Sequence, residues 1–421
     1  MTQRIGSFFA GIGGFDYAFE REGFETVFQC EIDPFCTAVL KAHWPHVERI
    51  RDIRSIAAGD IPKAAIWCGG FPCQDVSVAR AYRAREGLRG KNTGLFFSFL
   101  KLVQERLPSV LLLENVEGLL NSHNGQDFRV ILEELTGLGY SVAWRIMNSR
   151  YFGAPQSRPR VYICAARSNH SLPLSTLFEH DRGTRGLSRR EGFLTVDECG
   201  VSGALVPRVA YCLAATSGRH TGTDWSRTYI SYPDGVRRLT PSECEGLQGF
   251  PANWTAHTEG IRLNTYDLDT PRYKALGNSV AVPVVRWIAR RLLQSLALSS
   301  RSNPRSGIEE IVGPFADFSD KSARLMKFDE LHYSTRPNGH HLRWQSGGFA
   351  LGNFCIDIKA PSAPNKVVEH PLINVVEKMR PESHYFLSSN AAEGILRRVG
   401  SQNRTLFGPM HKALEFLARS A

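Results

Sequence analysis

The stretch FFAGIGGF, residues 8–15, decides how the rest of the chain is read. It begins inside an apolar run, Ile5 to Phe9. It ends where a helical pattern starts, Gly13 to Glu22, with Phe15, Ala18 and Phe19 on one face. A strand that turns through glycines into a helix lets a ligand come close to the backbone, and the helix N-terminus favours a negative group there. The turn alone selects a fold class and leaves the ligand open.

Outward from it the same alternation continues. Thr26 to Cys30 reads as a strand, Pro34 to His43 as a helix, Ala64 to Cys68 as a strand, and Leu95 to Glu105 as a helix. A strand at Val110 to Leu113, a helix at Gln126 to Leu135, and strands near Ser141 to Ile146 and Arg160 to Ala165 follow. This order predicts an α/β protein: a doubly wound, mostly parallel sheet covered by helices on both faces. From about 166 to 236 the patterning fades into Gly-, Ser-, Thr- and Arg-rich stretches, which predicts a smaller, loop-rich domain. A helix returns at Thr240 to Gln248, with Thr240 as N-cap, Pro241 as first residue and Glu243 as capping partner. Another runs from Val282 to Leu296. SSRSNPRSG, 299–307, reads as a linker to a C-terminal extension with apolar runs of its own. The expected divisions are therefore 1–165, 166–236, 237–298 and 299–421.

Charge is unevenly spread over the 421 residues. The formal net charge is +10, yet residues 1–144 carry fifteen Lys/Arg against seventeen Asp/Glu. Residues 145–240 carry fourteen arginines, no lysine and seven acids. Guanidinium forks read phosphates and guanine edges, so an all-arginine excess points toward nucleic acid. Nine cysteines with no CxxC pair argue against a disulfide framework and a zinc site, so no metal is expected and the thiols should stay reduced. No run approaches the roughly 18 apolar residues of a membrane helix, and MTQRIGSFF has no leader pattern.

In open sheets of this class ligands sit beyond the carboxyl ends of the strands. Chemically loaded residues stand at each such place: Gly11, Gly13 and Gly14, then Glu31, then Gly69 to Gln74, then Glu114 and Asn115. Glu31 is placed to hold two ribose hydroxyls, and Asp52-Ile53 an adenine edge. Cys73 in GGFPCQ follows Pro72, which restricts the backbone and aims the thiol as a nucleophile. Cys30, Cys36, Cys68 and Cys164 lie in apolar segments and read as structural. Glu114 ends the very apolar LLLEN, where partial burial raises a carboxyl's pKa and suits it to donate a proton. In APQSRPRVYI a period of two puts Gln156, Arg158 and Arg160 on one face, so two guanidiniums converge on an acceptor.

Taken in order, FAGIGG (9–14), GFPCQ (70–74), ENV (114–116), QSRPR (156–160), RRLTPSECEGLQGFP (237–251) and ALGNSVAVPV (275–284) resemble the DNA cytosine-C5 methyltransferases, over about residues 4–296. The resemblance implies an S-adenosylmethionine-binding, Rossmann-like catalytic domain in 1–165 and target recognition in 166–236. Residues 237–298 would complete the small domain and return to the catalytic one. It implies that Cys73 attacks C6 of a flipped-out cytosine in a short duplex DNA site, under a loop from Gln74 to Gly94 hinged at Gly87, Gly90 and Gly94. Glu114 would then meet N3, Arg160 the base carbonyl, and Arg158 would support the site. Phe9, Gly11, Gly13, Glu31, Asp52 and Ile53 would contact the methyl donor, with Asn278, Ser279 and Val280 completing its pocket. A monomer in the bacterial cytoplasm, at the nucleoid and paired in function with a restriction endonuclease, is implied as well. A C5-methyltransferase acting on tRNA is the alternative.

The extension has no counterpart in these motifs. Asp357-Ile358-Lys359 has the (D/E)xK spacing of restriction nucleases, but a strand with a surface salt bridge is the expected reading. The histidines of NGHHLRW point apart on a strand. The extension is expected to widen the DNA-binding surface or to pack on the small domain.

Overall fold

The computed structural model describes residues 2–72, 94–179, 192–218, 226–256, 269–298, 308–313, 325–328 and 344–419. Five strands form the parallel part of the main sheet: β1 (Arg4–Phe8), β2 (Glu25–Cys30), β3 (Glu48–Ile50), β4 (Ile66–Gly70) and β5 (Val110–Val116), in the order β5-β4-β1-β2-β3. Between them run α1 (Gly14–Glu20), α2 (Pro34–His43) and α3 (Leu95–Arg106), and α4 (Gln126–Gly137) follows β5. The inner strands β1, β4 and β5 are largely buried on both faces, which is why they read as apolar runs, while β3 is a short edge strand. Successive side chains of β5 alternate between two cores: Leu112 joins Phe15, Phe19 and Leu40, while Leu111 and Leu113 join Phe8, Trp67 and Phe99.

Beyond β5 the direction reverses. β6 (Ser141–Asn148) and β7 (Pro159–Ala166) are antiparallel to each other, and β7 lies antiparallel beside β5. The helix α5 (Leu172–Leu177) follows. The stretch whose patterning fades holds more structure than the sequence suggested. β8 (Val196–Cys199), β9 (Ala204–Pro207), β10 (Tyr229–Tyr232) and β11 (Gly235–Arg238) form a separate antiparallel sheet in the order β11-β10-β9-β8. Each strand is four residues long, too short for alternation to stand out against Gly- and Ser-rich turns.

Next come α6 (Pro241–Gln248), α7 (Asp269–Asn278) and α8 (Val282–Leu298). The expected capping box is present: Thr240 Oγ1 accepts from the Glu243 amide, and the Glu243 carboxylate accepts from the Thr240 amide. That carboxylate is also gripped by Arg237 at 2.8 Å in a fully buried pair.

The C-terminal extension joins both sheets. After a short helix α9 (Ile308–Val312) come β12 (Leu325–Lys327), β13 (Gly347–Leu351) and β14 (Phe354–Ile358). β13 pairs antiparallel with β6, extending the main sheet to ten strands. The chain then crosses to the small sheet, where the Leu372 amide donates to Arg208 O and the Leu387 amide to Val236 O. Finally α10 (Ser389–Ser401) and α11 (Gly408–Arg419) bury Ile395, Met410 and Leu414 against Tyr229 and Val236 of β10 and β11. Packing on the small domain was expected; membership of the catalytic sheet was not. Asp357 corrects another expectation. It is buried within β14, accepts a long bond from the Gln345 amide at 3.4 Å, and burial pushes its carboxyl up to about 7. Lys359 stays exposed, so the two form no surface pair. His340 and His341 lie outside the described residues. No described helix is long and apolar enough to cross a membrane.

Candidate active site

The glycine turn closes β1 onto α1. Gly11 (φ +55) and Gly13 (φ +82) take the left-handed conformation, and a Cβ on Gly13 would stand 2.4 Å from the Trp44 ring. On the α1 side, a Cβ on Gly14 would stand 2.8 Å from Val280 and 2.9 Å from Ser279 Oγ. Thus the segment leaving α7 lies directly against the turn, as the motif order implied. Trp254 ties it from the same side, its indole N–H donating to Ile12 O at 2.9 Å. Its ring stacks on His43 with centroids 3.6 Å apart. No sequence signal could have found this contact, because its partners stand 242 positions apart.

Over the carboxyl ends of β1, β2 and β3 opens a cavity of about 1190 Å³. Phe9, Glu31, Asp52 and Ile53 line it, together with Ile32, Leu100 and Gly94. Glu31 Oε2 accepts from the Gly11 amide at 2.7 Å and Oε1 from the Asp33 amide at 2.8 Å. A carboxylate offers about four lone-pair sites, so each oxygen keeps one for a ligand hydroxyl. Bonds from Arg54 hold the exposed Asp52 carboxyl below its usual range. Asn278, Ser279 and Val280 are not among the residues lining this cavity; they bear on the turn from its other side.

A second group gathers where β5 and β7 end. Glu114 is 8% exposed, and its Oε1 lies 3.1 Å from Arg160 Nε. Burial raises the Glu114 pKa, while Arg160 and then Arg158 act to lower it. Asn115 Nδ2 donates to Phe71 O at 2.8 Å, so the strand end bearing Glu114 grips the chain two residues before Cys73. Cys73 itself, with residues 74–93 of its loop, Gly87 and Gly90 included, lies outside the described residues. Gly94 is described and precedes α3.

Arg158 has a different occupation from the one its spacing suggested. Its guanidinium is buried and donates to the carbonyls of Leu213 (2.6 Å), Gly277 (2.9 Å) and Ser279 (2.7 Å). It clamps two remote segments onto β7 and leaves the carboxylate to Arg160. Gln156 does the same kind of work, donating to Leu247 O and accepting from the Leu213 amide. Between the two arginines sits Cys212, a residue that no sequence signal picked out. Among the described residues no group of three or more His, Cys, Asp or Glu could hold a metal ion.

The arrangement is a cofactor-sized cavity, a buried acid paired with a guanidinium, and the exit of β4 fastened at Phe71 to the strand that bears the acid. Comparison with known proteins agrees with it. The family model described as C-5 cytosine-specific DNA methylase matches residues 3–184 and 183–294. Type II methyltransferase M.Bsp6I of Bacillus sp. (strain RFL6) is 32% identical over 324 residues, covering 70% of this chain and 99% of that protein. Type II methyltransferase M.NgoBI of Neisseria gonorrhoeae is 32% identical over 314 residues, covering 70% and 94%. Among solved structures, the S. pombe Dnmt2 methyltransferase is similar in fold, with a TM-score of 0.50 at 19% identity, covering 70% of this chain and 99% of that one.

Proposed function

This chain belongs to the C-5 cytosine-specific DNA methylase family, and from that premise we propose that it methylates a cytosine flipped out of a short, specific duplex DNA site, with Cys73 as nucleophile. The observation that carries the reading is the buried Glu114–Arg160 pair, with Asn115 beside it holding the carbonyl of Phe71. A nucleophile two residues beyond Phe71 and an acid at the end of the neighbouring strand can act on one small ring.

The residues fit S-adenosylmethionine. The cavity has the size of a nucleoside-bearing ligand, and Glu31 keeps acceptor sites for its hydroxyls. Phe9, Gly11, Gly13, Glu31, Asp52 and Ile53 would hold it, with Asn278, Ser279 and Val280 bracing the turn. When bound, it supplies an electrophilic methyl group on sulfonium.

The protein's own residues do the rest. The Cys73 thiolate adds to C6, forming an S–C6 bond and pushing electrons toward C5. Glu114, whose pKa burial raises, hydrogen-bonds N3, and Arg160 meets the base carbonyl as charge collects there. After C5 is methylated, a base removes the C5 proton and the S–C6 electrons return to sulfur, freeing Cys73. A stacked base cannot present C6 to a thiol, so the cytosine must leave the helix. The arginine-rich region 166–236 would read a G/C-containing site. Protection of DNA against a cognate restriction endonuclease, action as a monomer, and residence at the bacterial nucleoid complete the proposal.

The test is covalent trapping. Duplex DNA containing 5-fluorocytosine cannot lose the C5 substituent, so the enzyme should stay bonded to its own site in the presence of S-adenosylmethionine. An adduct absent from Cys73→Ser supports the reading, and mapping it gives the site. Methyl transfer to tRNA with none to duplex DNA would overturn the substrate assignment.

A further inference from the structure

All three nitrogens of the Arg160 guanidinium are engaged. Nε faces Glu114 at 3.1 Å, Nη1 donates to Pro159 O at 2.8 Å, and Nη2 donates to the sulfur of Cys212 at 3.8 Å. The same sulfur accepts from Arg158 Nη1 at 3.4 Å. Arg158 is fixed by three backbone carbonyls, so Cys212 links Arg160 to an anchored side chain. The thiol is half-buried and stands at the chain turn that Arg158 and Gln156 hold through Leu213. Burial opposes the Arg160 charge, and Glu114 followed by Cys212 more than restores it. Among the described residues Cys212 is the side chain that accepts from Arg160 Nη2. We propose that Cys212 is a positioning residue for the reaction: its sulfur holds the outer edge of Arg160 so that the inner edge stays on Glu114 and on the base carbonyl.

This rests on the assignment of Glu114 and Arg160 to the target base. A sulfur acceptor is weak, so its worth lies in direction: without it Arg160 keeps, among the described residues, Pro159 O beside Glu114 and is less constrained. Among the described residues the groups that face Glu114 are Arg160, Arg158 and Tyr162, and Cys212 reaches it through the arginines. Losing Arg160 from that set leaves burial less opposed, so the carboxyl titrates at higher pH.

The experiment compares Cys212→Ala and Cys212→Ser with the full-length enzyme on duplex DNA. Cys212→Ala should lower kcat about 10-fold, leave KM for S-adenosylmethionine within about 2-fold, and move the high-pH limb of kcat upward. Cys212→Ser keeps an acceptor and should recover most of the rate and the original limb. In an Arg160→Ala background the Cys212→Ala change should cost nothing further, since coupled residues are non-additive. Equal losses with and without Arg160, or an alanine variant with unchanged kcat and limb, would overturn the proposal. Failure of the underlying assignment looks different: Glu114→Gln would then retain full kcat whatever stands at 212.

Discussion

On one side of β5 the strands run parallel and end in carboxylates; on the other they run antiparallel and bear buried arginines. Glu31 follows β2, Asp52 follows β3 and Glu114 lies near the end of β5. Each faces a cavity or a loop. Arg145 on β6, by contrast, donates to the carbonyls of Leu177, Pro361 and Ala363, and Arg158 at the entrance of β7 to those of Leu213, Gly277 and Ser279. A fork of donors inside a protein is well suited to collect stray peptide carbonyls, which are costly to leave unpaired. The parallel side thus presents acceptors to ligands, while the antiparallel side fastens loops from distant parts of the chain. Arg160 is where the two meet, since it is built like a fastener and paired like a catalyst.

This contrast predicts that substitutions on one side change rates and on the other change stability. The largest effect belongs to Cys73→Ser, at the exit of β4. Methyl transfer to DNA should fall by about 10⁴-fold or more, with S-adenosylmethionine still bound in equilibrium dialysis. Glu114→Gln should lower kcat by about 10²- to 10³-fold without lowering the melting temperature. On the proposed mechanism a protonated Glu114 is the working form. Burial raises its pKa, so activity should be full below that value and decline as pH climbs through it. The variant should lack this decline.

Arg145→Met reverses the pattern. Three carbonyls lose a charged donor, and denaturant unfolding should show a loss of about 3 kcal/mol while kcat per folded molecule holds. A rate defect with normal stability would erase the distinction between the two sides. A milder change is Glu31→Gln, for which calorimetry should find S-adenosylmethionine bound about 10-fold more weakly and KM for DNA unaltered.

A stability effect set by pH lies beneath the glycine turn. Asp16 is wholly buried, accepts from Ser7 Oγ at 2.7 Å, and is pushed up to about 7 by burial. Its folded-state value exceeds the unfolded one, near 3.8. Stability from this group is complete below the lower value and is lost as pH rises through the upper one. Between them the slope should be about 1.4 kcal/mol per pH unit. Asp16→Asn should flatten that slope in urea titrations, and an unchanged slope would assign the dependence elsewhere.

Most of the parallel half was legible because its inner strands are largely apolar and their exits carry residues that packing does not need; β3, three residues long and bearing Glu48 and Arg49, offered no such run and was not read. α2 was read over the same residues it occupies, with Pro34 marking its first turn. Glu114 and Arg160 were readable as an acid at a strand exit and a guanidinium on the facing strand. Arg158 was expected to support the site, but its acceptors were not legible, since they are main-chain atoms from 213, 277 and 279 that spell no motif. Cys212 was silent for the same reason. The extension's strands were hidden for a geometric one: GGFAL gives no sign that its register partner is SVAWR, some two hundred positions earlier.

That pairing also sets a clock. On a ribosome adding about 5–20 residues per second, β6 emerges roughly 10–40 s before β13 can cover it. During that interval the growing sheet carries a bare row of amides and carbonyls along an apolar strand, the kind of margin that adheres to other chains. The enzyme therefore reaches its final form only late in its own synthesis. Premature termination after α8 and before β13 should yield a fragment that contains every methylase motif and still tends to aggregate.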